Sequence, residues 1–403
     1  MKKKALNAET MKYSNYRRLI EELRIESISR SELARRMGLT RAAISLQVDA
    51  LLNQGLLVEG SSIALKSSGR SSIALKLNGS ACYCVGVAIR RDYFAAGLFD
   101  FCGNELACEH VDLVAPYDTR ETAYAKLFSM IDNAIAQVKP AGTFIGIGVG
   151  APGPINVEAG TIDDPPNLIA FEHSPVVSLL SERYHCPVTL KNDACTHALS
   201  ELFYGVKDRY DSFLVLEVTG GLGGGLVLNR HLNESQLGNG SELGHTTIDI
   251  NGKRCKCGNI GCAELYATLA SITAYAMTID SRFTNWRTIV DFANDGMPEA
   301  RQVVEREAFY LTTLIVNTIN MLDVEAIIVN GRDITYRPEL LLSCIRRLLS
   351  ERKLIKCGHP VDIITSSIDK NPDLLSAANL AIDRFLSSPE QLKRFGEAQR
   401  AAN

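Results

Sequence analysis

A chain of 403 residues is longer than one hydrophobic core usually spans, so two or three domains are expected. Hydrophobic residues make up 46% and charged residues 22%, an ordinary globular composition with no apolar run long enough to cross a bilayer; the expected class is a soluble protein with no membrane partner. The net charge of −3 conceals an asymmetry, since residues 1–80 hold 14 Lys and Arg against 7 Asp and Glu (+7) while the remainder is at −10. A basic head on an acidic body points to a polyanion partner for the head alone, with a plain solvated basic face as the alternative.

The three lysines after Met1 run into polar Asn7, Glu9 and Thr10, which is not the pattern of a secretory signal, so a cytoplasmic location is expected. Residues 12–25 read as an amphipathic helix through Leu19, Ile20, Leu23 and Ile25. A short second helix is expected from Ser31, as N-cap, to Met37, ending at Gly38. Thr40 caps a third helix in which Ile44, Val48 and Leu51 recur on one face. Residues 56–78 read as a small hairpin with Gly69 and Arg70 at its tip.

Together these predict a winged helix-turn-helix over residues 1–80, whose third helix enters the major groove of a double-stranded DNA operator. That helix turns Ala42, Ser45, Leu46 and Asp49 outward, with Thr40 at its start and Arg41 and Gln47 at its flanks. Arg41 suits guanine, Gln47 suits adenine, and Ala42 and Leu46 suit thymine methyls. Arg70 would enter the minor groove; Arg35, Arg36, Lys66, Arg17 and Arg18 would meet phosphates. A three-helix protein-interaction module is the alternative.

From Tyr83 strands and helices alternate: strands 83–89 and 93–99, a helix over 119–138, strands 143–149 and 187–190. A second series runs from Ser212 to a helix over 373–387. Two such halves predict an α/β architecture of two related lobes with a ligand cleft, and a polar, frayed tail at 389–403. Most of the 11 cysteines stand singly among apolar residues, but Cys255, Cys257 and Cys262 crowd together. With His245 they make a tetrahedral His-Cys₃ set with no place for a reactive water, which predicts a structural zinc ion. Three unpaired thiols beside an unrelated histidine is the alternative.

Asn192 and Asp193 follow a strand, and Glu242 stands just before His245. Amide, carboxylates and imidazole together suit a polyhydroxylated ligand. Taken singly, Asp193 reads equally as a helix N-cap and Glu242 as a solvated loop residue.

The segment Glu242 to His245, the Cys-x-Cys-Gly-x-x-Gly-Cys-x-Glu run at 255–264, Pro152-Gly153-Pro154, Pro166-Asn167-Leu168 and Asn192-Asp193-Ala194 resemble the ROK family of bacterial sugar kinases and winged-helix repressors. The resemblance implies an actin-like, ribonuclease H-like pair of lobes, here 81–195 and 196–388. It implies Asn192, Asp193, Glu242, His245 and Glu264 as sugar contacts with Gly153 and Asn167 nearby, and a homodimer or tetramer. In the family's kinases the residue matching Asp193 is the general base.

The resemblance also implies a test for enzyme against sensor. The kinases' Asp-x-Gly-Gly-Thr phosphate turn is replaced here by Ala88-Ile89-Arg90-Arg91-Asp92, and their adenosine turn by Val329-Asn330-Gly331-Arg332, while a glycine run survives at 220–225. The expectation is a regulator without catalytic residues, in which Asp193 is a vestigial base and a sugar or sugar phosphate is sensed. A bifunctional kinase and regulator, or a regulator controlled by a protein partner, are the alternatives.

Overall fold

The computed structural model describes residues 8–64, 71–113, 119–165, 168–233, 242–352 and 360–402. The chain divides into two compact units, Met1–Lys191 with Lys370–Asn403, and Asn192–Asp369.

The first unit begins with a winged-helix head: α1 (Ala8–Ile25), β1 (Ile28–Ser29), α2 (Arg30–Met37), α3 (Arg41–Asn53), β2 (Leu57–Ala64) and β3 (Ser71–Leu77). Leu19, Ile20, Leu33, Ile44, Val48 and Leu51 are fully buried, which is the apolar periodicity closing on itself. The wing has the order β1-β3-β2. The N-cap of α2 is Ser29 and not Ser31: β1 pairs with β3 up to Ser29, so the strand runs straight into the helix, and the Ser29 hydroxyl accepts from the Glu32 amide. Gly38 ends α2 at φ +66°, a left-handed turn that favours glycine, and Thr40 caps α3 by accepting from the Ala43 amide.

Next come β4 (Cys82–Ile89), β5 (Tyr93–Asp100), β6 (Glu105–Asp112), α4 (Arg120–Val138), β7 (Thr143–Ala151), β8 (Ile155–Asn156), β9 (Thr161–Ile162), α5 (Val176–Tyr184) and β10 (Val188–Asn192). They build a sheet of order β10-β7-β4-β5-β6, with β4 and β7 parallel and β4-β5-β6 antiparallel. Strand β6 escaped the sequence reading because it is an edge strand whose wet face, Leu106, Cys108, His110 and Asp112, mixes apolar with polar residues, while Glu105 and Glu109 interrupt the drier face.

The second unit holds α6 (Asp193–Glu201), β11 (Phe213–Val218), β12 (Leu222–Leu228), β13 (His231–Leu232), α7 (Leu269–Met277), α8 (Trp286–Asn294), α9 (Pro298–Met321), β14 (Ala326–Asn330), α10 (Glu339–Ser350) and β15 (Asp362–Thr365). Its sheet order is β13-β12-β11-β14-β15, with β11, β14 and β15 parallel. Its core gathers Trp286, Ile289, Leu311, Ile315 and Ile327.

The chain then returns to the first unit as α11 (Pro372–Ser387) and α12 (Pro389–Ala402), which corrects two expectations. Helix α11 does not belong with the second lobe: it covers β4 and β7, where a Cβ on Gly86 or Gly148 would strike the Leu374 or Ala377 carbonyl. Residues 389–402 are not a frayed tail, because Leu392 and Phe395, one helical turn apart, are buried. The same two helices hold α1. Arg24 donates to Asn379, and Arg17 donates to Ser387 at 2.6 Å and pairs with Asp383 at 3.1 Å.

Candidate functional site

On α3 the core takes Ile44, Val48 and Leu51, leaving Ala42, Leu46 and Asp49 on the open side, with Leu46 74% exposed. Arg41 and Thr40 are exposed and Ser45 is half-buried. Gln47 differs from its expected outward pose, since its Oε1 is buried and meets no hydrogen-bond partner among the described residues.

Arg36 also differs: it spans Glu22, Glu26 and Glu32 at 3.4, 2.7 and 3.1 Å and so clamps α1 to α2. Arg35 is 73% exposed, and its one ion pair among the described residues is with Glu32, which leaves its outer face open. Hydrogen bonds from the Arg35 and Arg36 guanidiniums hold the Glu32 carboxyl down at about 2. Arg17 faces α11, and Arg18 donates to the Met37 carbonyl. Lys66 and Arg70 lie outside the described residues.

In the first α/β sheet, the segment that replaces the phosphate turn is the tight β4–β5 connection, where the Arg90 amide donates to the Tyr93 carbonyl at 3.0 Å. The Arg90 guanidinium is buried and donates to Asp373 at the start of α11, whose other oxygen accepts from the Tyr93 hydroxyl. An inward guanidinium therefore fastens this connection to α11. Gly153 precedes Pro154 through a cis bond just past β7 and is half-buried. Asn167 lies outside the described residues.

The second unit brings Asn192, Asp193, Glu242, His245 and Glu264 into one body. Asn192 caps α6: its Oδ1 accepts from the Ala194 amide at 3.0 Å, and Asp193 accepts from the same amide at 2.8 Å. The helix dipole favours an anion at that place. Glu242 leads into the 3₁₀ turn Leu243–His245, and Glu264 sits in a second such turn. Strand β12 lies between them and α6. A Cβ on Gly225 would strike the Ala194 carbonyl, one on Gly224 would strike Leu243, and one on Gly244 would strike the Leu222 carbonyl.

Alternate residues of a strand face opposite ways, so the glycine run admits α6 on one face and the Glu242–His245 turn on the other. Desolvation by the surrounding protein raises the Glu242 carboxyl above its ordinary value; Glu264 and Asp193 add to the rise, and His245 opposes it. Asp193, His245 and Glu264 are therefore each within electrostatic reach of Glu242. Such a set accepts hydrogen bonds from several hydroxyls, while the Asn192 amide can donate.

The ligand atoms of His245, Cys255, Cys257 and Cys262 all lie within 4.8 Å of one another. His245 Nδ1 is 3.7 Å from Cys255 Sγ, and the Cys257 and Cys262 sulfurs are 3.6 Å apart. Thiolates bound at ~2.3 Å to a tetrahedral ion stand roughly 3.8 Å apart, so the cluster is spaced to receive one. Gly258 at φ +93° and Gly261 at φ +66° supply the left-handed turns, and a Cβ on Gly261 would strike the Asp249 carbonyl. The Asn259 amide pulls the Cys257 thiol down, whereas burial and its two neighbouring thiols push Cys262 up to about 12.

One polar group escaped the sequence reading. His197 Nδ1 lies 2.9 Å from a Glu217 oxygen, and the Asn330 amide donates to that oxygen at 2.6 Å and stands 2.7 Å from the same imidazole nitrogen. All three are buried, joining α6, β11 and β14 beneath the carboxyl ends of the parallel pair. The available hint was Glu217, a lone charge in the apolar run Phe213–Val218.

Residues 84–384 match the family described as ROK. The chain belongs to the ROK family. It is 29% identical over 381 residues to the xylose repressor of Bacillus subtilis (strain 168), covering 93% of this chain and 97% of that protein. It is 28% identical over 356 residues to the DNA-binding transcriptional dual regulator NagC of Escherichia coli (strain K12), covering 85% and 86%. A solved ROK family transcriptional regulator, a homologue of the E. coli MLC protein, superposes with a TM-score of 0.79 over 96% of this chain and 99% of that one at 24% identity, a likeness of fold. The two ROK sheets are thus the actin-like pair, preceded by a winged-helix head.

Proposed function

We propose that this ROK protein is a DNA-binding transcription regulator, of the repressor type, that senses a sugar or sugar phosphate and does not phosphorylate it. The observation that carries the reading is the joining, in one chain, of a basic winged-helix head to the cluster Asp193, Glu242, His245 and Glu264; the repressor relatives, matched along nearly their whole length, support it.

Zinc held by His245, Cys255, Cys257 and Cys262 is structural, since four protein ligands leave no place for water. It braces the Glu242–His245 turn, and with Nδ1 toward the thiols, His245 has Nε2 left for a hydroxyl. Sugar that binds one conformation better shifts operator affinity, and operator shifts sugar affinity by the same coupling free energy. A homodimer would place two recognition helices ~34 Å apart on half-sites.

Phosphoryl transfer depends on positioning and charge neutralisation, and Arg90 with its carboxylate partner replaces the turn that would supply them. The retained glycines of β12 are accounted for by packing. The test is duplex-DNA retention together with thermal shift over a panel of free and phosphorylated hexoses, pentoses and N-acetylated sugars. An effector at 100 times its Kd adds ~2.7 kcal/mol of stability. No duplex binding, or no sugar that moves the melting temperature, would sink the reading. The bifunctional alternative is favoured only by Asp193 at the start of α6; sugar-dependent ADP release in a coupled assay would establish it instead.

A further inference from the structure

The winged-helix head contains a cavity of about 480 Å³ between the starts of α2 and α3 and the wing. Two guanidiniums, Arg30 and Arg41, and the hydroxyl-bearing Ser31, Ser45 and Ser72 line it, with Glu59 at one side. Arg41 has no ion pair among the described residues and is exposed. The Ser72 hydroxyl is buried and has no hydrogen-bond partner among them.

Arg30 is different. It pairs with Asp49 on α3 at 2.6 Å and with Glu59 on β2 at 3.5 Å, so one side chain joins three elements. Asp49 is the acidic residue on the open stripe of α3, where a bare carboxylate would repel the DNA backbone. All three side chains are at least a third exposed, and ion pairs of that kind contribute ~0–1 kcal/mol. A phosphate offers a guanidinium a stronger, forked, charge-assisted contact.

We propose that this cavity seats a backbone phosphate of duplex DNA, with Arg30 as its principal ligand and Arg41, Ser31 and Ser45 beside it, and that Asp49 and Glu59 hold Arg30 only while DNA is absent. The inference rests on the DNA-binding reading above and adds a contact that neither charge nor periodicity singled out. Arg30 then positions the recognition helix without reading sequence.

The experiment uses the full chain and two fluorescein-labelled duplexes, one of random sequence and one selected from a random pool by the wild type, with Kd measured between ~50 and ~200 mM salt. Arg30→Gln lowers the slope of log K against log salt by ~0.9 on both duplexes, so affinity falls roughly 3- to 4-fold less across that range than in the wild type. Arg30→Lys restores the slope, since a point charge also holds a phosphate. Asp49→Asn tightens the random duplex.

A wild-type slope in Arg30→Gln, or a lower melting temperature and weaker binding with no change of slope, would make Arg30 a structural strut and overturn the proposal. A wild type that binds neither duplex would overturn the DNA-binding reading itself, a separate outcome.

Discussion

The β4–β5 hairpin of the first unit and the β11–β12 hairpin of the second follow one plan and end differently. In each, the leading strand pairs antiparallel with its successor and parallel with a later strand, β7 or β14. In each, a helix lies against glycines of the sheet: α11 on Gly86 and Gly148, α6 on Gly225. The first turn carries Arg90 fastened to Asp373, while the second keeps its glycines. Glycine after a strand is therefore an ambiguous mark, since in β12 it answers to the close approach of backbone and side chain and requires no phosphate. The first turn is held instead by a part-buried charge pair.

The sharpest way to separate the two hairpins is through the His/Cys cluster, which among the described residues only the second has beside it. Cys262→Ser is expected to abolish bound zinc, read by elemental analysis, and with it the sugar-dependent thermal shift, while duplex binding by the head persists. Retention of the full sugar response in metal-free protein would show that the loop stands without an ion. The first hairpin should break at its charge pair: Arg90→Ala leaves the part-buried Asp373 without its guanidinium and is expected to lower stability by ~1–3 kcal/mol in urea unfolding, with no gain of ATP binding. ATP binding in that variant would mean that Arg90 had merely blocked a working turn.

Next in size is Gly225→Ala, which must push α6 away from β12 and is expected to destabilise by ~1–3 kcal/mol while weakening sugar response through Asp193. An unchanged melting temperature would contradict the packing account of the glycines.

The smallest effect depends on pH. Glu307 on α9 is fully buried, neither carboxyl oxygen has a hydrogen-bond partner among the described residues, and burial raises it well above the ordinary glutamate value. Below that ordinary value both folded and unfolded chains hold the proton and the group adds no pH dependence. As pH rises past it, the unfolded chain ionises first, so stability falls until the folded value is reached. Glu307→Leu is expected to add ~1–3 kcal/mol near neutral pH and to flatten the decline. A melting difference between variant and wild type that stays constant from acid to neutral pH would refute this.

Much of this was legible before any coordinates. Ile44, Val48 and Leu51 announced α3, Thr40 and Gly38 its flanking turn, and the spacing of Cys255, Cys257 and Cys262 their convergence with His245, because capping, periodicity and residue spacing are local. What stayed hidden is decided by distant partners. Arg36 turns away from its expected target because Glu22, Glu26 and Glu32 hold it, two of them outside its own helix, and the Gln47 amide oxygen is buried. The His197, Glu217 and Asn330 network joins residues from three elements far apart in sequence. Helix α12 was read as a tail because two apolar residues, Leu392 and Phe395, are too few to stand out in a polar stretch.

The return of α11 has a consequence for synthesis. Until residues 372–387 have left the ribosome, β4 and β7 have no cover over Gly86 and Gly148, and α1 lacks the side chains that receive Arg17 and Arg24. The second unit lies wholly within the intervening stretch and can mature first. A nascent chain would thus complete its middle before its beginning, with the two ends of the polypeptide meeting last.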